Sequence, residues 1–108
     1  MYITDLEDRR VARIEEEIES ALALEEPTKY KVLLHNDDYT TIDFVVDVLV
    51  GIFHKNLSEA EAIMMTVHQK GKAVCGIYTY EIAETKVYQV KSLAKTNGFP
   101  LLATMEEV

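Results

Sequence analysis

The apolar residues able to build a folded core lie after Pro27 in this chain, which leaves about 80 residues for the core, a size that still folds alone. Before that proline, residues 1–29 hold four basic and nine acidic side chains, a local net charge of −5 out of −8 for the whole chain. The apolar spacing over Asp5 to Ala23 predicts one narrow helical stripe and no second stripe that would complete a core. Because the residue before a proline avoids helical backbone, Pro27 should end this segment. We predict an N-terminal extension over residues 1–28, mobile or weakly helical, and a core domain over residues 29–108.

From Tyr30 onward the pattern alternates between strand and helix signals. Apolar and β-branched runs predict three strands, over Tyr30–His35, Ala73–Tyr78 and Phe99–Met105. Residues suited to capping predict three helices, from Thr40 or Thr41 to Asn56-Leu57, from Ser58 to Gly71 and from Thr79 to Asn97-Gly98. The order β-α-α-β-α-β predicts an α+β domain of two layers, a three-stranded sheet packed on three helices.

Charge and cysteine content exclude several classes of function. A net charge of −8 opposes binding to a phosphate backbone, so we expect no nucleic-acid partner. The single Cys75 excludes an intramolecular disulfide and a cysteine-rich zinc site, and it suits a reducing compartment. No apolar run approaches the ~20 residues that span a bilayer, and residues 1–7 lack the order of a signal peptide. We therefore expect a cytoplasmic protein with no membrane partner.

The densest polar cluster of the predicted core domain lies where the first strand meets the first helix. It reads Asn36-Asp37-Asp38-Tyr39-Thr40. Strand alternation would place Asn36 and Asp38 on one side and Asp37 on the other. An amide oxygen and a carboxylate in register are acceptors suited to a cation, but an ordinary strand-to-helix turn favours the same residue types. The spacing alone leaves both interpretations open.

His68 is the histidine best placed to join this cluster. It lies near the end of the predicted second helix, one turn after Met64, and a neutral imidazole offers one nitrogen as an acceptor. The alternative is a histidine that interacts only with the helix dipole. Nothing in their spacing brings His35 and His54 to His68 as a zinc triad.

The sequence contains little that could support catalysis. An enzyme needs an activated nucleophile or two carboxylates with separated pKa values, and Cys75 lies inside an apolar strand. The P-loop, GxSxG and HExxH motifs are absent. We expect no catalytic residue, no metal and no cofactor. A small metal-binding or hydrolytic protein that uses Asp37, Asp38 and His68 remains the alternative.

Several motifs occur together in a fixed order over residues 30–105. They are Tyr30-Lys31-Val32, Asn36-Asp37-Asp38-Tyr39-Thr40, Phe44-Val45, Asp47-Val48-Leu49, Val67-His68, Gly71-Lys72-Ala73, Cys75-Gly76, Thr79, Glu81, Ala83-Glu84-Thr85-Lys86 and Pro100-Leu101-Leu102. In this combination the chain closely resembles the ClpS adaptor family. The element order alone also resembles the C-terminal domain of the ribosomal stalk protein, but a fold does not by itself carry a function.

The resemblance implies an adaptor of the N-degron pathway. Such an adaptor binds proteins that begin with Leu, Phe, Tyr or Trp and delivers them to a Clp AAA+ unfoldase, ClpA-like, and its peptidase. The residues that would hold the substrate's α-amino group are Asn36, Asp37, Asp38 and His68. Those that would line the side-chain pocket are Thr40, Ile42, Val45, Met64, Val67 and Leu101. Those that would contact the N-terminal domain of the unfoldase are Glu81, Glu84 and Lys86.

Two further expectations come with the resemblance. Many relatives carry methionine where this chain has Ile42, so its rejection of β-branched N-terminal residues should differ. The extension would engage the unfoldase during delivery, with a plain solubilising tail as the alternative. We expect a monomer, because no large apolar stripe is left over once the core is assigned.

Overall fold

The computed structural model describes residues 9–19 and 27–108 of the chain. Residues 9–19 are helical and are called α1. The elements that follow are β1 (Lys29–His35), α2 (Ile42–Gly51), α3 (Leu57–Lys70), β2 (Lys72–Thr79), α4 (Tyr80–Thr96) and β3 (Leu102–Glu107). From β1 onward this is the predicted β-α-α-β-α-β order.

The central strand of the sheet is β1, which pairs antiparallel with β2 on one side and β3 on the other. Val32 lies opposite Gly76 of β2 and Met105 of β3. The register of β1 on β2 shifts between Val32 and Leu33, which leaves Cys75 as the extra residue of a bulge. The predicted class, an α+β domain with a three-stranded sheet, is confirmed.

The core lies between the sheet and the helices. Val32 and Leu34 of β1 are fully buried, and they belong to one cluster with Val48 and Leu49 of α2 and Val90 of α4. Alternation along β1 directs Val32 and Leu34 to the same face. Burial of each such side chain contributes roughly 1.5–3 kcal/mol, so the sheet and helices form a firm support for the loops between them.

The connection between α2 and α3 differs from the prediction. Helix α2 ends at Gly51, short of Asn56-Leu57, and Asn56 rather than Ser58 caps α3 by accepting a hydrogen bond from the backbone nitrogen of Glu59 at 2.8 Å. His54 has a left-handed backbone with φ 55, a conformation that cannot continue an α-helix. Asparagine caps as well as serine does, and here it comes two residues earlier.

The start of the last strand also differs from the prediction. The sequence predicts a strand from Phe99 to Met105, whereas β3 begins at Leu102, which lies opposite His35 of β1. Pro100 has no backbone N–H to donate to a neighbouring strand, so pairing begins after it.

Helix α1 falls within the weakly helical segment predicted over Asp5 to Ala23. Every residue of 9–19 is exposed, and the helix carries one ion pair along its surface, Arg13 to Glu17 at 3.6 Å. The rest of the predicted segment lies outside the described residues. The boundary between the extension and the core domain stays a prediction. Within the described residues, no helix has both the length and the apolar character needed to cross a membrane.

Candidate functional site

A cavity of about 270 Å³ lies where the β1–α2 loop meets helices α2 and α3. We call it the site cavity, and its lining residues are Asn36, Asp37, Asp38, Thr40, Ile42, Val45, Met64, Val67 and His68. Every one of them was a candidate from the sequence. The structure therefore brings together the polar cluster after β1, the helix that follows it and the histidine of α3.

The loop that carries the polar cluster is held by Asp37. One carboxylate oxygen of Asp37 accepts hydrogen bonds from the backbone nitrogens of Tyr39 at 2.8 Å and Thr40 at 2.6 Å. The other accepts one from the Thr40 hydroxyl at 2.7 Å. At the start of the loop, the backbone nitrogen of Asn36 donates to the carbonyl oxygen of Gly71 at 2.8 Å. The loop is thus fixed both to itself and to the end of α3.

These hydrogen bonds also set the charge of Asp37. Partial burial raises the pKa of its carboxyl, but the side-chain and backbone hydrogen bonds from Thr40, with that from Tyr39, outweigh burial and hold the pKa below its ordinary value. Asp37 therefore places a fixed negative charge beside the cavity. Both of its oxygens already accept hydrogen bonds from the loop.

Unlike Asp37, the side chains of Asn36, Asp38 and His68 are not taken up by hydrogen bonds of the loop. All three are exposed, and among residues 9–19 and 27–108 no hydrogen bond or ion pair uses their side chains. An amide oxygen, a carboxylate and an imidazole nitrogen thus remain available around one cavity. Together they can accept hydrogen bonds from a compact cationic donor.

The apolar wall of the cavity comes from helices α2 and α3. Helical spacing of three residues puts Ile42 and Val45 on one face of α2, and Met64 and Val67 on one face of α3. Val45 and Val67 are 7% and 2% exposed and belong to the core cluster, whereas Ile42 is 51% exposed. The apolar part of the cavity therefore has a floor of buried side chains, Val45 and Val67, and an open rim at Ile42.

Leu101, which the resemblance places in the side-chain pocket, is not among the residues that line the site cavity. Leu101 is buried in the core cluster and lines a separate groove on the α4 side of the domain, together with Phe99 and Pro100. Val45 and Val67 belong to the same cluster and line the cavity, so the part that Leu101 plays in the pocket stays a prediction.

None of the three residues expected to contact an unfoldase lines the site cavity. Glu81 and Glu84 are exposed on α4. Lys86 is half-buried, and its Nζ donates a hydrogen bond of 2.6 Å to the carbonyl oxygen of Ile52. The same Nζ lies 5.8 Å from the centre of the Tyr78 ring. Lys86 therefore joins α4 to the end of α2, a contact that the sequence did not indicate.

The remaining titratable candidates do not build a second site. His35 is paired through Nε2 with the Thr104 hydroxyl at 2.7 Å, and His54 lies in the α2–α3 connection. No group of three His, Cys, Asp or Glu side chains within the described residues could hold a metal ion.

Burial raises the pKa of the Cys75 thiol to about 12. A hydrogen bond from the Leu34 backbone and the charge of Lys55 oppose this rise only in part. Such a thiol is a poor nucleophile.

The sequence also left one neighbouring feature unpredicted. A groove between α2 and α3 adjoins the site cavity and is bordered by Asp43, Asp47 and Glu61. The available signal is the adjacent pair Met64-Met65: Met64 lines both the site cavity and this groove, and Met65 is 42% exposed.

Fold and cavity together define a small binding module, in which acceptor groups adjoin an apolar floor. The family model described as ATP-dependent Clp protease adaptor protein ClpS matches residues 25–104. The chain belongs to this ClpS family, whose members are protease adaptors and not enzymes. The membership and the non-enzymatic class expected from the motifs are thereby confirmed.

Individual relatives agree with the family assignment. The ATP-dependent Clp protease adapter protein ClpS of Wolinella succinogenes is 55% identical over 93 residues, covering 86% of this chain and 91% of the relative. That of Oleidesulfovibrio alaskensis is 58% identical over 85 residues, covering 79% and 82%. Among solved structures, Agrobacterium tumefaciens ClpS2 bound to L-phenylalaninamide matches with a TM-score of 0.74 and 42% identity, covering 77% of this chain and all of that one.

Proposed function

We propose that this protein binds polypeptides by a free, bulky apolar N-terminal residue and delivers them to a Clp AAA+ unfoldase and its peptidase. The observation that carries the proposal is the site cavity, where three acceptors that no other described residue engages lie beside an apolar floor. The ligand of the Agrobacterium tumefaciens neighbour supports it. L-phenylalaninamide has a free α-amino group, an aromatic side chain and an amide where a polypeptide would continue.

The polar end of the cavity suits an α-ammonium group. This group has a pKa near 8 and is a cation with three donors at neutral pH. The Asn36 oxygen, the Asp38 carboxylate and a neutral His68 nitrogen would accept those donors, and Asp37 would add its negative charge while it holds the loop. A peptide nitrogen inside a chain has one donor and no charge, so each acceptor left unpaired would cost about 1–3 kcal/mol.

The apolar end suits a large side chain. Val45 and Val67 provide the fixed floor, and the flexible thioether of Met64 can adapt to aliphatic or aromatic shapes. Thr40 and Ile42 would complete the wall. Burial of a Leu, Phe, Tyr or Trp side chain there contributes roughly 2 kcal/mol or more. The amine and the side chain together would therefore give useful affinity.

Delivery would use a different part of the protein. Glu81, Glu84 and Lys86 lie on α4 outside the site cavity, so a substrate and the N-terminal domain of a ClpA-like unfoldase would bind separate surfaces. The extension over residues 1–28 would engage the unfoldase during transfer. We propose that the adaptor acts as a monomer, without cofactor and without nucleic-acid or membrane partners.

The experiment is binding of a fluorescent Leu- or Phe-initiated peptide, measured by anisotropy, against the same peptide with an acetylated N-terminus. The protein variants are His68→Ala and, as a control on the same helix, the exposed Gln69→Ala, which lies outside the cavity. We expect micromolar or tighter binding that is abolished by acetylation and by His68→Ala but kept by Gln69→Ala. Failure of the free-amine peptide to bind would overturn the proposal.

A further inference from the structure

The side of the sheet that points away from helices α2, α3 and α4 carries a buried leucine. Val32 and Leu34 of β1 join the core cluster with these helices, so Leu33 between them points to the opposite side. Leu33 is only 4% exposed, although it lies outside that cluster. We call this opposite side the open face of the sheet.

The open face is apolar around Leu33. Val74 and Ile77 of β2 and Leu102 of β3 lie opposite residues of β1 that point to the same side as Leu33. These three side chains are 42%, 57% and 55% exposed. An antiparallel sheet with one solvated face usually carries polar residues there. The apolar patch around Leu33 therefore favours an occupant that covers it.

Helix α1 of the same chain has an apolar stripe that the described residues leave uncovered. Spacing of three and four residues places Val11, Ile14 and Ile18 on one side of the helix, and each is just over half exposed. An isolated helix as short as the 11 residues of α1 is marginal in water, and most helices are stabilised by packing of an apolar face. A partner surface for this stripe would therefore stabilise α1.

The chain between α1 and β1 is long enough for α1 to reach the open face. Residues 20–28 form this connection, and nine residues span up to ~30 Å when extended. The seven residues of β1 give the face a length of about 23 Å, and α1 is about 16 Å long. The helix therefore fits along the face.

The charges of the two surfaces are complementary. Residues 1–28 hold more acidic than basic side chains, whereas the strands present three lysines and one glutamate on the open face. Two of these lysines, Lys29 and Lys72, form no ion pair within the described part of the chain. Helical spacing places Glu15 and Glu19 beside the apolar stripe of α1, where they can meet lysines of the face.

We propose that α1 docks on the open face of the sheet of its own chain, with Val11, Ile14 and Ile18 against the patch around Leu33. The uncovered stripe, the length of the connection and the complementary charges identify α1 as the occupant. This inference does not depend on the proposed function. While α1 is docked, any partner of the extension has to displace it from the sheet.

The first test records methyl NMR spectra of the full chain. The double variant Ile14→Gln and Ile18→Gln removes the stripe and keeps residues that suit a helix. We expect it to shift the methyl signals of Leu33 and Val74 on the open face and to leave those of Val90 in the core unchanged. Identical signals of Leu33 and Val74 in wild type and variant would overturn the proposal.

A matched variant controls for changes in α1 that spare the stripe. Arg9→Gln with Glu16→Gln alters the opposite side of the helix and keeps the net charge of the chain. The methyl signals of the open face should stay as in wild type. Shifts as large as those of the stripe variant would contradict docking through the stripe.

The second test changes the face and measures cleavage of α1 by trypsin after the exposed Arg13. Val74→Thr with Ile77→Thr makes the patch polar and keeps residues that favour strands. We expect cleavage about fivefold faster than in wild type, because the rate follows the population of undocked helix. Survival of the remaining fragment shows that the core stays folded. Val50→Thr with Leu93→Gln removes two exposed apolar side chains from the other helices and should be cleaved like wild type.

Three further outcomes would overturn the proposal. Equal cleavage of wild type and the polar-patch variant would show that the patch does not hold α1. Methyl shifts confined to the α4 side of the domain, where Leu101 lines a groove, would place α1 on a different surface. Shifts that grow with protein concentration would assign the contact to a second copy of the chain.

Discussion

The Asp37 carboxylate accepts two hydrogen bonds from Thr40, one from its backbone nitrogen at 2.6 Å and one from its hydroxyl at 2.7 Å. Thr40 lines the site cavity next to Asp37, so the pair fixes the wall of the cavity from within the loop. Asp38 lies between the two residues in sequence, and no hydrogen bond or ion pair of the described residues uses its carboxylate. One aspartate of the pair Asp37-Asp38 therefore holds the loop while the other stays available for a ligand.

The lowered pKa of Asp37 predicts how its contribution to stability changes with pH. The folded protein holds this pKa below the value of 3.8 that applies when the chain is unfolded, so the contribution is present above about pH 4 and is lost as the pH falls through the lower value. The free energy of unfolding of wild type should exceed that of Asp37→Asn by a constant amount, about 1 kcal/mol, between pH 7 and pH 5. The difference should shrink by about pH 3.

Urea unfolding of both proteins at each pH measures this difference. Asp38→Asn is the matched control, because Asp38 makes none of the loop's hydrogen bonds among the described residues. A wild-type advantage over Asp37→Asn that is as large at pH 3 as at pH 7 would contradict the assigned role.

From the position of Ile42 we predict how strongly the site binds peptides whose N-terminal residue is branched at Cβ. Its side chain is stiff at χ1 and lies at the open rim of the cavity, whereas methionine is longer and can extend over it. Ile42→Met should therefore lower the affinity for peptides that begin with Ile or Val more than for peptides that begin with Leu, by about three- to tenfold. Anisotropy titrations with the three peptides give the ratios, and identical ratios in wild type and variant would sink the idea.

The hydrogen bond from Lys86 to the Ile52 carbonyl predicts a loss of stability that is separate from any loss of partner binding. Lys86→Met removes a cation from the end of α2 and should cost about 1 kcal/mol, a Tm lower by about 4–8 °C. Lys91→Met, on the exposed surface of the same helix, should leave Tm near that of wild type. Thermal denaturation followed by circular dichroism measures both.

A second variant separates the two roles proposed for this part of α4. Glu84→Gln should weaken association with the unfoldase N-terminal domain without the loss of Tm, because Glu84 is exposed. Lys86→Met should lower both the Tm and the affinity for the unfoldase N-terminal domain. A Lys86→Met protein that melts like wild type would show that the contact with Ile52 contributes nothing to stability.

Local signals were sufficient to predict much of this fold. Thr41 caps α2 by accepting a hydrogen bond from the Phe44 nitrogen at 3.2 Å, and Gly71 ends α3 with φ 90, as their residue types indicated. Capping depends on a few neighbours in sequence, so it can be inferred without knowing the tertiary structure. The residues of the site cavity could be named because the motifs of the family retain their order along the chain.

What escaped prediction depends on contacts between distant segments. Lys86 meets Ile52 across 34 positions in sequence, in the connection where α2 ends early. The groove bordered by Asp43, Asp47 and Glu61 lies between the separate helices α2 and α3, and Met65 on its lining is 42% exposed. Apolar spacing in one helix does not reveal which residues a second helix will cover.

Deletion of residues 1–24 should impair delivery of a substrate to the unfoldase while peptide binding is kept. The deleted segment lies outside residues 25–104, which match the family model, and none of its described residues lines the site cavity. Peptide affinity should therefore stay within about twofold of wild type, a difference near the limit of such titrations. Degradation of a Leu-initiated reporter by the unfoldase and its peptidase should fall severalfold. Replacement of residues 1–24 by a Gly-Ser segment of equal length tests whether length alone suffices. Undiminished degradation by the deleted protein would refute engagement of the unfoldase by the extension, because a solubilising tail can be removed without affecting transfer.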